Sequence, residues 1–229
     1  MSPEQLQAIA DLRARNLSPK QIARQLGLRP AEVSAVIRQQ AIVLAAEQGL
    51  TLPPLKRCIV NELAVKILLE KQESRGLEGG QAQLFVLRLD RMQYFVTSYL
   101  IDWWCLGLKN CFGPRKIDRA DFEFMVQKSG ENMLQEMVDI TLEEAQSIVY
   151  GAIDYAANIG FQPHPDFEQA QKYLEPRPET LIPMEFGHNG KPFYFQGPYD
   201  EPHKILRTLE KNLGKDEFTY VLADGPPGW

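Results

Sequence analysis

The spacing within residues 19–38, PKQIARQLGLRPAEVSAVIR, leaves room for little besides two short helices crossing at a tight turn. Counting Pro19 as the first position, Ala23 is fifth, Gly27 ninth, Val33 fifteenth and Val36 eighteenth. Ala23 is small where the helices touch, and Gly27 tolerates the positive φ that opens the turn. Ile22, Leu26, Val33 and Val36 supply the apolar contacts between them. The spacing predicts a helix-turn-helix within a three-helix module over residues 1–49. Ser2, Pro3 and Glu4 start its first helix, with Leu6, Ile9 and Ala10 on the inner stripe. Ser18 caps the second helix, whose first residue is Pro19. Pro30 starts the third, which is expected to run to Glu47 before Gly49 stops it. Residues 42–46 carry apolar content beyond what a minimal module needs. The end of that helix is therefore expected to pack on the rest of the chain or on another copy.

Residues 50–55, with Pro53 and Pro54, read as a semi-rigid linker to a second domain over residues 56–229. Cys58 to Val60 suggest a short strand, while Leu63 to Lys71 fit either a helix or a continuation of that strand. Residues 76–80 read as a loop. Leu84 to Leu89 and Tyr94 to Ile101 are rich in β-branched and aromatic residues, and the short gap between them predicts an antiparallel hairpin. From Asp118 the period becomes helical. Thr141 and Glu144 form a capping box ahead of an apolar face through Ala145, Ile148, Val149, Ala152, Ile153, Ala156 and Ala157, closed by Gly160. A short helix is expected from Asp166 through Tyr173. Met184 to Phe186 and Phe193 to Phe195 flank Asn189-Gly190, which suits a tight hairpin turn. Asp200 is expected to cap a helix ending near Gly214, ahead of a strand from Phe218 to Leu222. The fold class is α+β: a helix-turn-helix module followed by an α+β domain with a mostly antiparallel sheet.

At 229 residues the chain can hold a small module and a medium domain. No apolar run is long enough to span a bilayer, and MSPEQLQAIADLRAR lacks the basic start and apolar core of a signal peptide. No membrane partner is expected, and the anticipated location is the cytoplasm. Cys58, Cys105 and Cys111, odd in number and set among apolar residues, do not form a disulfide framework. Charge is uneven: residues 1–48 carry six Lys/Arg against four acids, the remainder 19 against 26. On net charge only the first segment is expected to be drawn to phosphate, and only weakly, and the acidic body argues against a protein that coats nucleic acid over its whole surface.

The N-terminal segment, about residues 3–48, resembles the DNA-binding module of bacterial regulators, especially the compact type of sigma-factor region 4 and transposase N-termini. The resemblance implies a third helix in the major groove, with Arg29, Glu32, Ser34 and Arg38 facing outward near its start. Lys20 and Arg24 would contact phosphate. Ala31 and Ala35 stand where a base reader usually has Arg, Asn or Gln. DNA is the expected partner. A protein partner, or pairing with a second copy, is the alternative, because one module with so little positive charge binds weakly alone.

In the body, Asp102 ends a strongly apolar run and is followed by Trp103, Trp104 and Cys105. A carboxylate in such surroundings has a raised pKa or needs a donor such as Lys109 or a Trp indole. It reads either as an acid/base or metal-ligating group or as the cap of the following turn. His164 and Asp166 sit in a loop, and a hydrolase or nuclease would require Asp102, His164 and Asp166 to converge. His188 reads as an exposed turn residue, His203 as a helix-surface one, and Asp166 as a helix N-cap. No metal-ligand spacing, Walker motif, dinucleotide fingerprint or Gly-x-Ser-x-Gly elbow is present, so neither metal nor cofactor is expected. Through KRCIV, LIDWWCLGLKNCF, GFQPHPDF and GKPFYFQGPYD, the body is similar to a group of uncharacterised bacterial proteins, which implies a shared fold and no particular chemistry.

Overall fold

The computed structural model describes residues 3–14, 19–34, 36–37, 52–72 and 79–222, and the chain divides into two units, Met1–Leu52 and Pro53–Trp229. In the first unit, α1 (Pro3–Ala14) and α2 (Pro19–Leu26) precede a third helical segment, α3, at residues 30–34 and 36–37. Ile9, Ile22, Ala23 and Val33 are buried together, with Leu12, Leu26, Leu28, Val36 and Ile37 around them. Gly27 takes φ +66° at the turn, where a Cβ would meet nothing within 4 Å, so its role is conformational and not steric. The amide of Leu28 closes the turn on the Ala23 carbonyl at 3.0 Å. Residues 38–50, where α3 was expected to continue to Glu47, lie outside the described residues, as do Ser2 and Ser18.

The body is an α+β unit built on a five-stranded antiparallel sheet. Its strands are β1 (Leu55–Asn61), β2 (Gln81–Asp90), β3 (Gln93–Asp102), β4 (Gly107–Ile117) and β5 (Met137–Ile140), in the order β4-β3-β2-β1-β5. The hairpin read from the two apolar runs is β2–β3, in register from Gln81↔Asp102 to Asp90↔Gln93. Of the stretch read as helix or strand, Leu63 to Leu69 is helical: α4 (Glu62–Ala64) continues as a π turn over Val65–Leu69 and ends before Lys71. Alternation along the strands sends side chains to two faces, and both are covered. Cys58, Val60, Leu84, Val86, Tyr99 and Ile101 pack with α6 (Leu142–Asn158) and with α7 (Phe167–Ala170). Ile59, Phe85, Leu87 and Val96 pack on the opposite face with Phe122 of α5 (Arg119–Met133). Asp118 caps α5 by accepting from the Asp121 amide, and the Thr141–Glu144 capping box starts α6.

Two strands of this sheet are not apparent in the sequence. β4 contains Lys109, Asn110, Gly113, Pro114, Arg115 and Lys116, a composition that argues against a strand. It pairs with β3 as an edge, where a proline is tolerated because one row of backbone groups needs no partner in the sheet. β5 has only four residues and is specified by pairing with β1.

The C-terminal part departs further. Asn189 (φ +52°) and Gly190 (φ +76°) form the expected tight turn, bridged by His188 and Lys191. Met184–Phe186, however, is not a strand. Phe186 packs against Gly151 and stacks on Tyr155 at 5.7 Å, so burial against α6 overrides hairpin pairing. β6 (Phe193–Phe195) instead pairs in parallel with β7 (Thr219–Val221). Asp200 does not cap α8 (Pro202–Leu213); Glu201 holds that position without a side-chain bond. α8 and the small sheet close a separate cluster with Cys105, Ile159, Tyr194, Leu209 and Phe218.

Candidate functional site

On the N-terminal module, α2 buries Ile22 and Ala23 and leaves Lys20 and Arg24 in solvent. Arg29 is exposed at the start of α3. The other two described candidates on α3 are engaged locally. The Glu32 carboxylate accepts from the Arg29 amide at 3.1 Å, which satisfies one orphan donor of the helix start. Ser34 Oγ donates to the Pro30 carbonyl at 2.8 Å, one helical turn back. Arg38 and the side chain of Ala35 lie outside the described residues, and Ala31 is exposed.

In the body, Asp102 closes β3 and is buried. Its Oδ1 accepts from the amides of Trp104 and Cys105, both at 3.0 Å, so the carboxylate caps the Trp103–Leu106 turn joining β3 to β4. Burial pushes its pKa up from 3.8 to about 6, opposed by Lys109 and by the turn amides. Trp103, Trp104 and Cys105 of that turn are buried and Leu106 half-buried. The Trp103 amide donates to Gly80, the Gly187 amide to Trp103 and the Phe193 amide to Trp104. Gly80 takes φ +85°, and a Cβ there would run into the Trp104 ring.

Lys109, on β4, leads from this turn to a residue that sequence reading assigned elsewhere. Its Nζ lies 2.9 Å from Asp200 Oδ1 and 3.0 Å from Oδ2, with only 15% and 10% of the two side chains exposed. Asp200 Oδ2 also accepts from the Gly197 amide at 2.8 Å, so it ties the loop before α8 to the sheet. The Tyr194 phenol faces this carboxylate without hydrogen-bond geometry; its oxygen is the one buried side-chain polar atom without a partner among the described residues. Burial first, then Asp200, pushes its ionisation upward. Lys109 and Asp200 are 91 residues apart, and no local pattern marks them as a pair.

Asp102, His164 and Asp166 divide into two groups. The electrostatic neighbours of Asp102 are Lys109, Cys105, Tyr155 and Tyr194. His164 and Asp166 lie on the loop before α7 and engage each other: His164 Nδ1 accepts from the Asp166 amide at 3.3 Å and stands 3.9 Å from Asp166 Oδ2. The His164 amide donates to the Leu108 carbonyl, which anchors the loop on β4. Asp166 occupies the N-cap position of α7 without a side-chain cap bond. His203 is exposed, whereas His188, expected in solvent, is half-buried with its ring 5.0 Å from Trp104 and 5.1 Å from Phe193.

The three thiols are buried and unpaired with one another. Burial raises Cys58 to about 12 and Cys111 to about 11, and pushes Cys105 upward as well, so none is a thiolate at neutral pH. Among the described residues no group of three His, Cys, Asp or Glu is placed to hold a metal ion, and no helix is long and apolar enough to cross a membrane. No protein-family model matches the chain, and no curated protein or solved structure matches it significantly.

Proposed function

We propose that this is a DNA-binding or nucleoprotein-associated protein, regulatory or assembling in role, that engages its partner through the N-terminal helix-turn-helix. The observation carrying this reading is the arrangement of the module: Lys20, Arg24 and Arg29 are exposed around a core of Ile9, Ile22, Ala23 and Val33. α3 would enter the major groove, with Arg29 and Arg38 nearest the bases or their phosphates and Lys20 and Arg24 positioning the module on the backbone. So few cations give weak binding per copy, so the protein would act as an oligomer or with a partner. Reversing two charges, Arg24→Glu with Arg38→Glu, should reduce duplex binding in a gel shift by about a hundredfold or more. Retained binding overturns the DNA reading.

A protein partner is the second reading, and a specific observation favours it. Glu32 and Ser34 bond within their own helix, and Ala31 is exposed beside them, so the outer face of α3 offers few free base-reading groups. Copurification of a protein partner that survives nuclease treatment would select it. A hydrolase built on Asp102, His164 and Asp166 has less support, because the Asp102 carboxylate is occupied within a buried turn.

A further inference from the structure

The strand register gathers five exposed cations of an otherwise acidic body at one end of its sheet. Asp90 pairs with Gln93, which puts Arg91 at the tip of the β2–β3 hairpin. Tyr94 pairs with Ile117, Phe95 with Lys116 and Val96 with Arg115, so the close of β4 lies beside that tip, followed at once by Arg119 at the start of α5. Lys56 sits in the irregularity at the start of β1, where Leu55 pairs with Arg88. All five cations are exposed, and none has a carboxylate within ion-pair distance among the described residues. The acids at this end are Asp90, Asp118 and Asp121, of which Asp118 already accepts the Asp121 amide, together with Glu123 and Asp139, held by Arg57, and Glu175, held by Arg88. With those pairs included, seven cations face six carboxylates, and the five that stand outside an ion pair give this end a positive excess in a unit with 19 basic and 26 acidic residues.

The chain also enters the body at this end. The Pro54 carbonyl accepts from the Leu89 amide at 2.9 Å. The Pro53 carbonyl accepts from Arg88 Nη1 at 3.0 Å, and that guanidinium is itself buried and paired with Glu175 at 2.7 Å. Pro53 and Pro54, the first residues of the body, are therefore held beside the basic end of the sheet.

We infer that this end of the sheet, through Lys56, Arg91, Arg115, Lys116 and Arg119, is a second contact for the sugar-phosphate backbone of duplex DNA. The inference rests on the DNA reading of the module. Exposed, unpaired cations suit this role, since phosphate neutralisation is electrostatic, independent of sequence and tolerant of geometry.

Binding of the full-length chain to a labelled mixed-sequence duplex, followed by anisotropy across a salt series, tests it. The triple variant Arg91→Gln/Arg115→Gln/Lys116→Gln should flatten the slope of log K against log salt by about 2 to 3, roughly 0.9 for each phosphate contact removed. At low salt its affinity should fall about tenfold or more. Each single substitution should change the slope by about one. The double variant Arg207→Gln/Lys211→Gln, on exposed positions of α8, should leave the slope unchanged. A triple variant with the wild-type slope, or an equal loss in the α8 variant, overturns the inference while the module reading stands. A triple variant that binds DNA as wild type but releases a copurifying acidic protein assigns this end to that protein and overturns the DNA contact. A wild-type chain that fails to bind the duplex overturns both readings.

Discussion

The two ends of the five-stranded sheet use the same residue types for opposite purposes. At the end where β3 turns into β4, Asp102 is buried and Lys109 and Asp200 are nearly so, and their polar atoms are spent on turn amides, on the Gly197 amide and on each other. At the end carrying the β2–β3 hairpin tip, Arg91, Arg115 and Lys116 are in solvent without a carboxylate partner among the described residues. Burial and satisfaction make the first set structural, since a paired charge in a closed turn is unavailable to a ligand. Exposure makes the second set available and nearly irrelevant to stability. A charge list read from the sequence does not distinguish them.

The largest effect that would break this contrast is predicted at Asp200. Asp200→Ala leaves the Lys109 ammonium largely buried without its partner and orphans the Gly197 amide, a loss of about 3 kcal/mol measured by urea unfolding. If stability is unchanged, Lys109 is better solvated than its surroundings indicate, and the two ends are not opposites. Asp102 sharpens the contrast through pH. Its folded pKa, about 6, lies above the ordinary 3.8, so the native state holds this proton more tightly than the unfolded chain does. The associated stability is fully present below about pH 4 and is lost as pH rises through about 6. Asp102→Asn keeps an acceptor for both turn amides and should flatten that decline, seen as a smaller fall in melting temperature between pH 4 and pH 7. A variant with the wild-type pH profile would assign the slope to other groups. The smallest effect is expected at the basic end: Arg115→Gln/Lys116→Gln should change unfolding free energy by no more than about 0.5 kcal/mol. A larger loss would mean that these cations stabilise the edge strand and are not held in reserve for a partner.

Much of the architecture is legible without coordinates. The β2–β3 hairpin, the capping box at Thr141, the helical period after Asp118 and the turn at Gly27 all follow from local chemistry: side-chain alternation, paired caps and the backbone freedom of glycine. The same reasoning offers capping of its turn as one role for Asp102, but it names Lys109 as a donor to that carboxylate, whereas the donors are the Trp104 and Cys105 amides and Lys109 pairs with Asp200. It misses β4 because Gly113, Pro114 and three Lys/Arg residues argue against a strand, whereas an edge position next to β3 tolerates them. It misassigns Met184–Phe186 because the Asn189-Gly190 turn is real but its flanks find better burial on α6 and at Trp104. Asp200 illustrates the hardest case. An aspartate two residues ahead of a helix reads as a cap, yet an ammonium 91 positions away offers it an ion pair in a nearly closed site.

Taken alone, the sequence determines what depends on near neighbours: a helix-turn-helix spacing, an antiparallel hairpin, helix starts and an α+β class. Tertiary structure decides what depends on distant ones. It sets which charges are buried, which strands lie at an edge, that β6 meets β7 in parallel, and that five exposed cations lie at the end where the chain enters the body. The division has a physical origin. Backbone preference and side-chain alternation act over a few residues, whereas desolvation and ion pairing act over a few ångströms of space, and only folding converts one kind of distance into the other.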